Sequence, residues 1–288
     1  MNTLCLVLLA CLSYRSFCSH AAEQVRHIST NETLNAQKDY YPNLLQLAIE
    51  KSTAKYGPAQ RQIVDTPMEE QRQFVSLKNN VLDVMWTMTS IEREQEALPI
   101  RIPLLKGLIG YRVLVIRKNE QQEFAAIKHL EQLKKLTAVQ GFGWADVEIL
   151  QKNGFKLDVS SWHTSILKSL DAGYYDYFPR SVLEAWVELK DNQYDELMVD
   201  EHHLIVYPTA IYFFVDKNNS QLAERLEYGL KQAIADGSFE QHFKQYPQHV
   251  DALLKIESQQ RQHYYISNPT LPEATPLQDK SLWFQFKS

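Results

Sequence analysis

The chain has 288 residues, 44% hydrophobic and 23% charged, with a formal net charge of −5 at pH 7. That length suits one large domain or two of moderate size. The mildly acidic balance argues against nucleic acid or anionic lipid as the main partner.

The first 22 residues differ in composition from the rest. Residues 4–12 form an apolar run too short for a bilayer, which needs about 20 residues. Ser19-His20-Ala21-Ala22 follows with the small residues that suit signal-peptidase cleavage after Ala21 or Ala22. Residues 1–22 are therefore expected to be a signal peptide and the protein to reach the periplasm. The alternatives are a buried strand, or a lipoprotein anchored at Cys11 in Leu8-Leu9-Ala10-Cys11. All three cysteines (Cys5, Cys11, Cys18) lie in this segment, so the remainder is expected to use no disulfide, thiolate metal site or cysteine nucleophile.

Beyond the leader, short β-type runs alternate with helical patterns, which predicts an α/β protein. Residues 25–28 read as a strand, 43–51 as a helix entered by Pro42, 62–64 as a strand and 68–77 as a helix. Strands are predicted at 81–86 and 111–117. A helical stretch at 122–133 leads to Thr137-Ala138-Val139 and Gly141-Phe142-Gly143-Trp144, then a helix over 145–151. Residues 155–159 read as a strand, 164–170 as a helix, 174–178 as a strand, and Pro179 as the opening of a helix to 189. Strands follow at 203–207 and 210–215. The last third is helical over 220–235, stopped by Gly237, then over 239–246 and 250–256. The aromatic tail at 282–286 is expected to pack on the body, since a bare apolar tail would aggregate.

Residues 81–117 carry the most information. A strand ends at Trp86, and Thr87-Met88-Thr89-Ser90-Ile91-Glu92-Arg93 places hydroxyls and an arginine just past its carboxyl end. Ligands dock there in open α/β sheets. The chain then enters a second buried strand without a crossover helix. That order resembles the extracellular solute-binding proteins of family 3, which capture polar amino acids in the type II periplasmic-binding fold. The resemblance implies two lobes, each a mixed sheet flanked by helices, joined by two crossing strands. The two long strands at 111–117 and 210–215 bracket a self-contained α/β block, the signature of an inserted lobe, and place lobe 1 at 23–111 plus 212–288 and lobe 2 at 112–211. The resemblance also implies a small anionic or zwitterionic, amino-acid-like solute bearing a carboxylate and held in the cleft between lobes, a membrane permease (as in ABC transport) or a sensor as partner, and a monomer.

The resemblance assigns roles residue by residue. Tyr40, in Tyr40-Tyr41-Pro42, matches an aromatic lining the cleft; both tyrosines could instead staple the helix that follows. Arg93 matches the arginine that forks onto the solute carboxylate, with Thr89 or Ser90 adding donors. Its alternative is a surface pair with Glu92, Glu94 or Glu96. Trp86 would form a wall or pack between lobes. Gly143 and Trp144 stand where the family has a Gly-Thr-Thr-like turn; the hydroxyls are missing, but amides at a helix N-terminus still attract an anion. At Asp176-Tyr177-Phe178-Pro179-Arg180-Ser181 the family usually has a carboxylate for the solute ammonium. Here Arg180 occupies that place. Either Glu184 supplies the acid, or the solute carries a second anion on Arg180, or Arg180 and Glu184 pair at i, i+4.

No catalytic motif stands out, and no metal or cofactor is expected. His202 and His203 are adjacent on a strand and cannot share one ion. Two other readings stay open: a lyase or dehydratase using Glu184 and Asp176, and an interaction module that no longer captures solute.

Overall fold

The computed structural model describes residues 23–29, 39–160, 165–191 and 194–286. The expected signal peptide, the three cysteines and the start of the helix predicted at 164 lie outside them. No helix among the described residues is long and apolar enough to cross a membrane.

In the first lobe, β1 (Glu23–Ile28) is followed by α1 (Tyr40–Tyr56), β2 (Ala59–Val64), α2 (Glu70–Lys78), β3 (Met85–Met88), α3 (Ile91–Glu96) and β4 (Leu98–Ile100). The chain then crosses into β5 (Tyr111–Arg117), α4 (Gln121–Ala125), α5 (Leu130–Leu133), β6 (Ala138–Gly141), α6 (Ala145–Lys152), β7 (Leu157–Ser160) and α7 (Ile166–Asp171). The second lobe continues with β8 (Phe178–Ser181), α8 (Ala185–Asp191), β9 (Leu197–Val199) and β10 (His203–Val206). The return strand β11 (Ile211–Val215) leads to α9 (Ser220–Ala235), α10 (Ser238–Lys244), α11 (Pro247–Ser258) and β12 (Gln262–Tyr265).

β11 is buried along its whole length because it lies between β3 and β4, antiparallel to both. β1 and β2 pair in parallel beside them. In the second lobe the strand order is β12-β10-β5-β8, with β9 also on β5 and a parallel β6–β7 pair alongside. β5 is buried from Arg112 to Ile116, as expected of an inner strand covered on both faces.

α9 shows how local sequence sets the packing. Asn219 caps it by accepting from Leu222 N at 3.2 Å, and Gly237 ends it at φ +80°. Its buried stripe of Leu222, Leu226, Gly229, Leu230 and Ala233 lies against α1, where a Cβ at position 229 would collide with the Ala48 carbonyl. Glycine is what lets the two helices approach so closely.

Three expectations need correction. The strand predicted at 81–86 is β3, which starts four residues later and ends two residues later. The strand predicted at 174–178 and the helix predicted from Pro179 become β8 and α8. Pro179 sits within β8 opposite Leu114, and its carbonyl accepts from Gln140 Nε2 at 2.9 Å. Lacking an N–H, proline suits a position whose amide side needs no partner. Finally, β12 pairs with β10 in the second-lobe sheet, so the C-terminal segment does not stay with lobe 1.

Candidate functional site

The candidate site is the seam between lobes, where the end of β3 and α3 face α6, β8 and α8. Ser90 Oγ accepts from Arg93 N at 3.1 Å and starts α3. That cap turns the Arg93 side chain toward the second lobe. Its Nη1 donates to Met88 O at 3.0 Å, its Nη2 donates to Gly143 O at 3.1 Å, and it ion-pairs with Glu70. Glu70 is itself held by Thr87 Oγ1 at 2.6 Å. Arg93 thus spans the seam with its side chain 11% exposed.

The donors expected beside it are already engaged. Thr89 Oγ1 donates to Glu94 at 2.7 Å, and Ser90 serves as the cap. Gly143 meets Arg93 through its carbonyl, not through the amide that was expected to attract an anion; its φ of +78° explains the glycine.

The floor is built around two buried arginines. Arg112, 1% exposed on β5, pairs with Asp146 at 2.6 Å and lies 3.7 Å from Glu184. Its Nε donates to Tyr207 Oη at 2.9 Å, and the Tyr207 hydroxyl donates to Asp146. Arg180 leaves β8 and forks onto Glu188, with Nε 2.8 Å from Oε2, while its Nη2 lies 3.1 Å from Glu184. The Arg180 guanidinium covers the Trp144 ring at 4.7 Å, and Trp144 stacks on Phe178.

Burial alone would lower the Arg180 guanidinium, but Glu184 and Glu188 outweigh it and hold it above its ordinary value. Burial pushes the Glu188 carboxyl up, against Arg180. A guanidinium does not give up its proton and here forks both oxygens, so the pair is ionised. Three carboxylates (Asp146, Glu184, Glu188) therefore face two guanidiniums on the floor. Glu184 is the most accessible of the three, its side chain 15% exposed.

Both tyrosines are buried, Tyr41 at 5% exposure, and they face different neighbours. Tyr40 is fully buried in the first-lobe core, its hydroxyl donating to Leu104 O at 2.6 Å and its ring packed on His242, Tyr246 and His249. It lines no cleft. Tyr41, one helical step on, stacks on Trp86 at 5.6 Å and 25°. Its phenol is raised well above the ordinary value, first by burial and then by Glu184, with Arg112 and Arg180 opposing. Trp86 is half-buried within the first lobe against Tyr41, His27 and Phe213.

Sequence reasoning missed Arg112, Asp146, Glu188 and Tyr207. The signals were present: a charge inside the apolar run of β5, an acid two residues past Gly143-Trp144, and a second acid one turn beyond Glu184. His203, suspected of no metal role, is buried with Nδ1 2.9 Å from Asp200. Among the described residues no group of three or more His, Cys, Asp or Glu could hold one metal ion.

No family model and no curated protein sequence matches the chain. Solved structures do. An ancestral arginine-binding protein bound to arginine is 17% identical with a TM-score of 0.60, covering 79% of this chain and 99% of that chain. An arginine-specific periplasmic binding protein of Salmonella typhimurium is 15% identical at TM-score 0.59, covering 78% and 99%. A histidine kinase sensor domain similar to periplasmic binding proteins is 15% identical at TM-score 0.58, covering 79% and 96%. The chain has the two-lobed periplasmic-binding-protein fold.

Proposed function

We propose that this chain is a periplasmic solute-binding protein that holds a small zwitterionic solute with a cationic group between its lobes, for a permease or sensor in the membrane. One observation carries the reading. Glu184 is the most accessible acid on a floor where carboxylates outnumber guanidiniums, and it is shared by Arg112 and Arg180 instead of being forked by either. A solute ammonium or guanidinium on Glu184 would balance that charge. The solute carboxylate would take Arg93 in exchange for the Gly143 carbonyl, with Tyr41 and Trp86 as an aromatic wall. The second anion considered for Arg180 loses support, because Arg180 is spent on Glu188 and Glu184.

The test is a thermal-shift and calorimetric panel of basic, neutral and acidic amino acids and dicarboxylates. Basic or neutral amino acids should raise the melting temperature and dicarboxylates should not. Glu184→Gln should abolish the rise. Arg93→Ala should weaken binding by about 2–5 kcal/mol, the usual cost of leaving a desolvated charge unpaired. A dicarboxylate as the best ligand, or full affinity in either variant, would sink the reading. A second reading, an interaction module with a cleft filled by its own side chains, draws on the protein partners of Arg93, Arg112 and Arg180. A panel with no shift at all would favour it.

A further inference from the structure

The segment after α11 does not remain with the lobe it leaves. Arg261 Nη1 donates to Asp200 O and His203 O, and Gln262 N donates to His202 O at 2.7 Å. β12 then runs parallel to β10 as the edge of the second-lobe sheet. Ser267 O accepts from Asn153 at the end of α6 at 2.8 Å. From there the chain returns to the first lobe, where Thr270 O accepts from Ile91 N at the start of α3 at 2.9 Å.

On the way this segment grips both connections between the lobes. Asn268 Nδ2 donates to Pro208 O at 2.9 Å, between β10 and β11. On the other connection, Phe284 N donates to Lys106 O at 2.8 Å and Phe286 lies 5.0 Å from the Tyr111 ring. The Trp283 indole, anchored by Nε1 to Pro276 O at 2.8 Å, fills the space a side chain at Gly107 would need. Lys106 and Gly107 both have positive φ, 53° and 78°. Hinge motion is absorbed by large φ/ψ changes at a few connecting residues. The residues that would have to change are the ones this segment covers.

We propose that residues 259–286 form a strap that holds the two lobes closed at rest, and that the cleft opens only when the strap leaves the Lys106–Tyr111 connection. Closing then needs no solute, and a solute or partner must work against the strap to gain entry.

The test compares the full chain with Trp283→Ala and Trp283→Phe by small-angle X-ray scattering and hydrogen exchange, without any ligand. The wild type should have a radius of gyration near the compact value of about 18 Å. Trp283→Ala should shift it upward and lose exchange protection at residues 89–93 and 141–146, while β12 stays protected. Trp283→Phe, which keeps a ring over Gly107, should behave as wild type. If Trp283→Ala does not fold, the partly exposed Phe286→Ala probes the same connection and should give the same two changes. A variant that frees residues 280–286 yet keeps the compact radius and the protected seam overturns the proposal, as does a wild type already open. Neither readout uses a solute, so failure here leaves the proposed function standing.

Discussion

Arg112 shows how much one side chain can determine. It is wholly buried, it holds Asp146 and Tyr207 together, and its Nη2 lies 3.5 Å from Met88 Sδ in the opposite lobe. Removing one partner of a buried pair leaves the other charge unsolvated. Arg112→Ala is therefore expected to cost about 3–5 kcal/mol in urea unfolding. Arg112→Lys should recover only part of that, since an ammonium cannot serve Asp146 and Tyr207 through a planar fork. A loss under about 1 kcal/mol would mean that the seam is open and hydrated in solution. The sequence showed Arg93 through its place after a strand, because position relative to a strand end is local information. It did not single out Arg112 at the seam, because an inner strand reads as apolar and one charge in it looks incidental. The choice between Tyr40 and Tyr41 was equally out of reach. Adjacent helical residues point about 100° apart, and only the packing of α1 on α10 and α11 decides which ring meets those helices and which meets Trp86.

At the scale of elements, α1, α10 and α11 meet in a cluster of rings centred on His249. Its ring lies 5.0 Å from Tyr40 and 4.5 Å from Phe243, and Nδ1 is 3.0 Å from Phe243 O. Burial pulls His249 down to about 4, Phe243 O opposes that, and His242 adds to it. An unfolded histidine titrates at about 6.5. Between those values the unfolded chain binds the extra proton, so stability rises with pH across the window. The contribution is complete above about 6.5 and is lost as pH falls toward 4, about 3 kcal/mol in all. His249→Phe should therefore show a smaller loss of unfolding free energy between pH 7.5 and 4.5 than the wild type; an equal loss would refute the assignment. Among the elements themselves, β5 and α9 were readable to their ends because their patterns are long and undiluted. β8 was misplaced because proline opens helices more often than it sits in strands, and nothing local says that Leu114 lies opposite. β12, Gln262-His263-Tyr264-Tyr265, has no apolar run; it is a strand only because β10 offers an edge.

For the whole molecule, the two-lobed plan was legible from two long buried strands bracketing an α/β block, whereas the strap was not, since its contacts with the two lobes join distant parts of the chain. The same plan sets the order in which the molecule can form. The middle strand of the first-lobe sheet is β11, and Met88 must wait for Ile211, and Leu98 for Val215, with the second-lobe block lying between. Contacts so distant in sequence slow folding, because the loop must close before the pairing rewards it. Until then β3 and β4 expose unpaired edges, which are prone to wrong association. Pulsed hydrogen exchange during refolding should find amides of β5 and β8 protected before those of β3 and β11, and simultaneous protection would contradict this. While its first lobe lacks a centre, a chain assembled in this sequence is expected to refold in lower yield as its concentration rises.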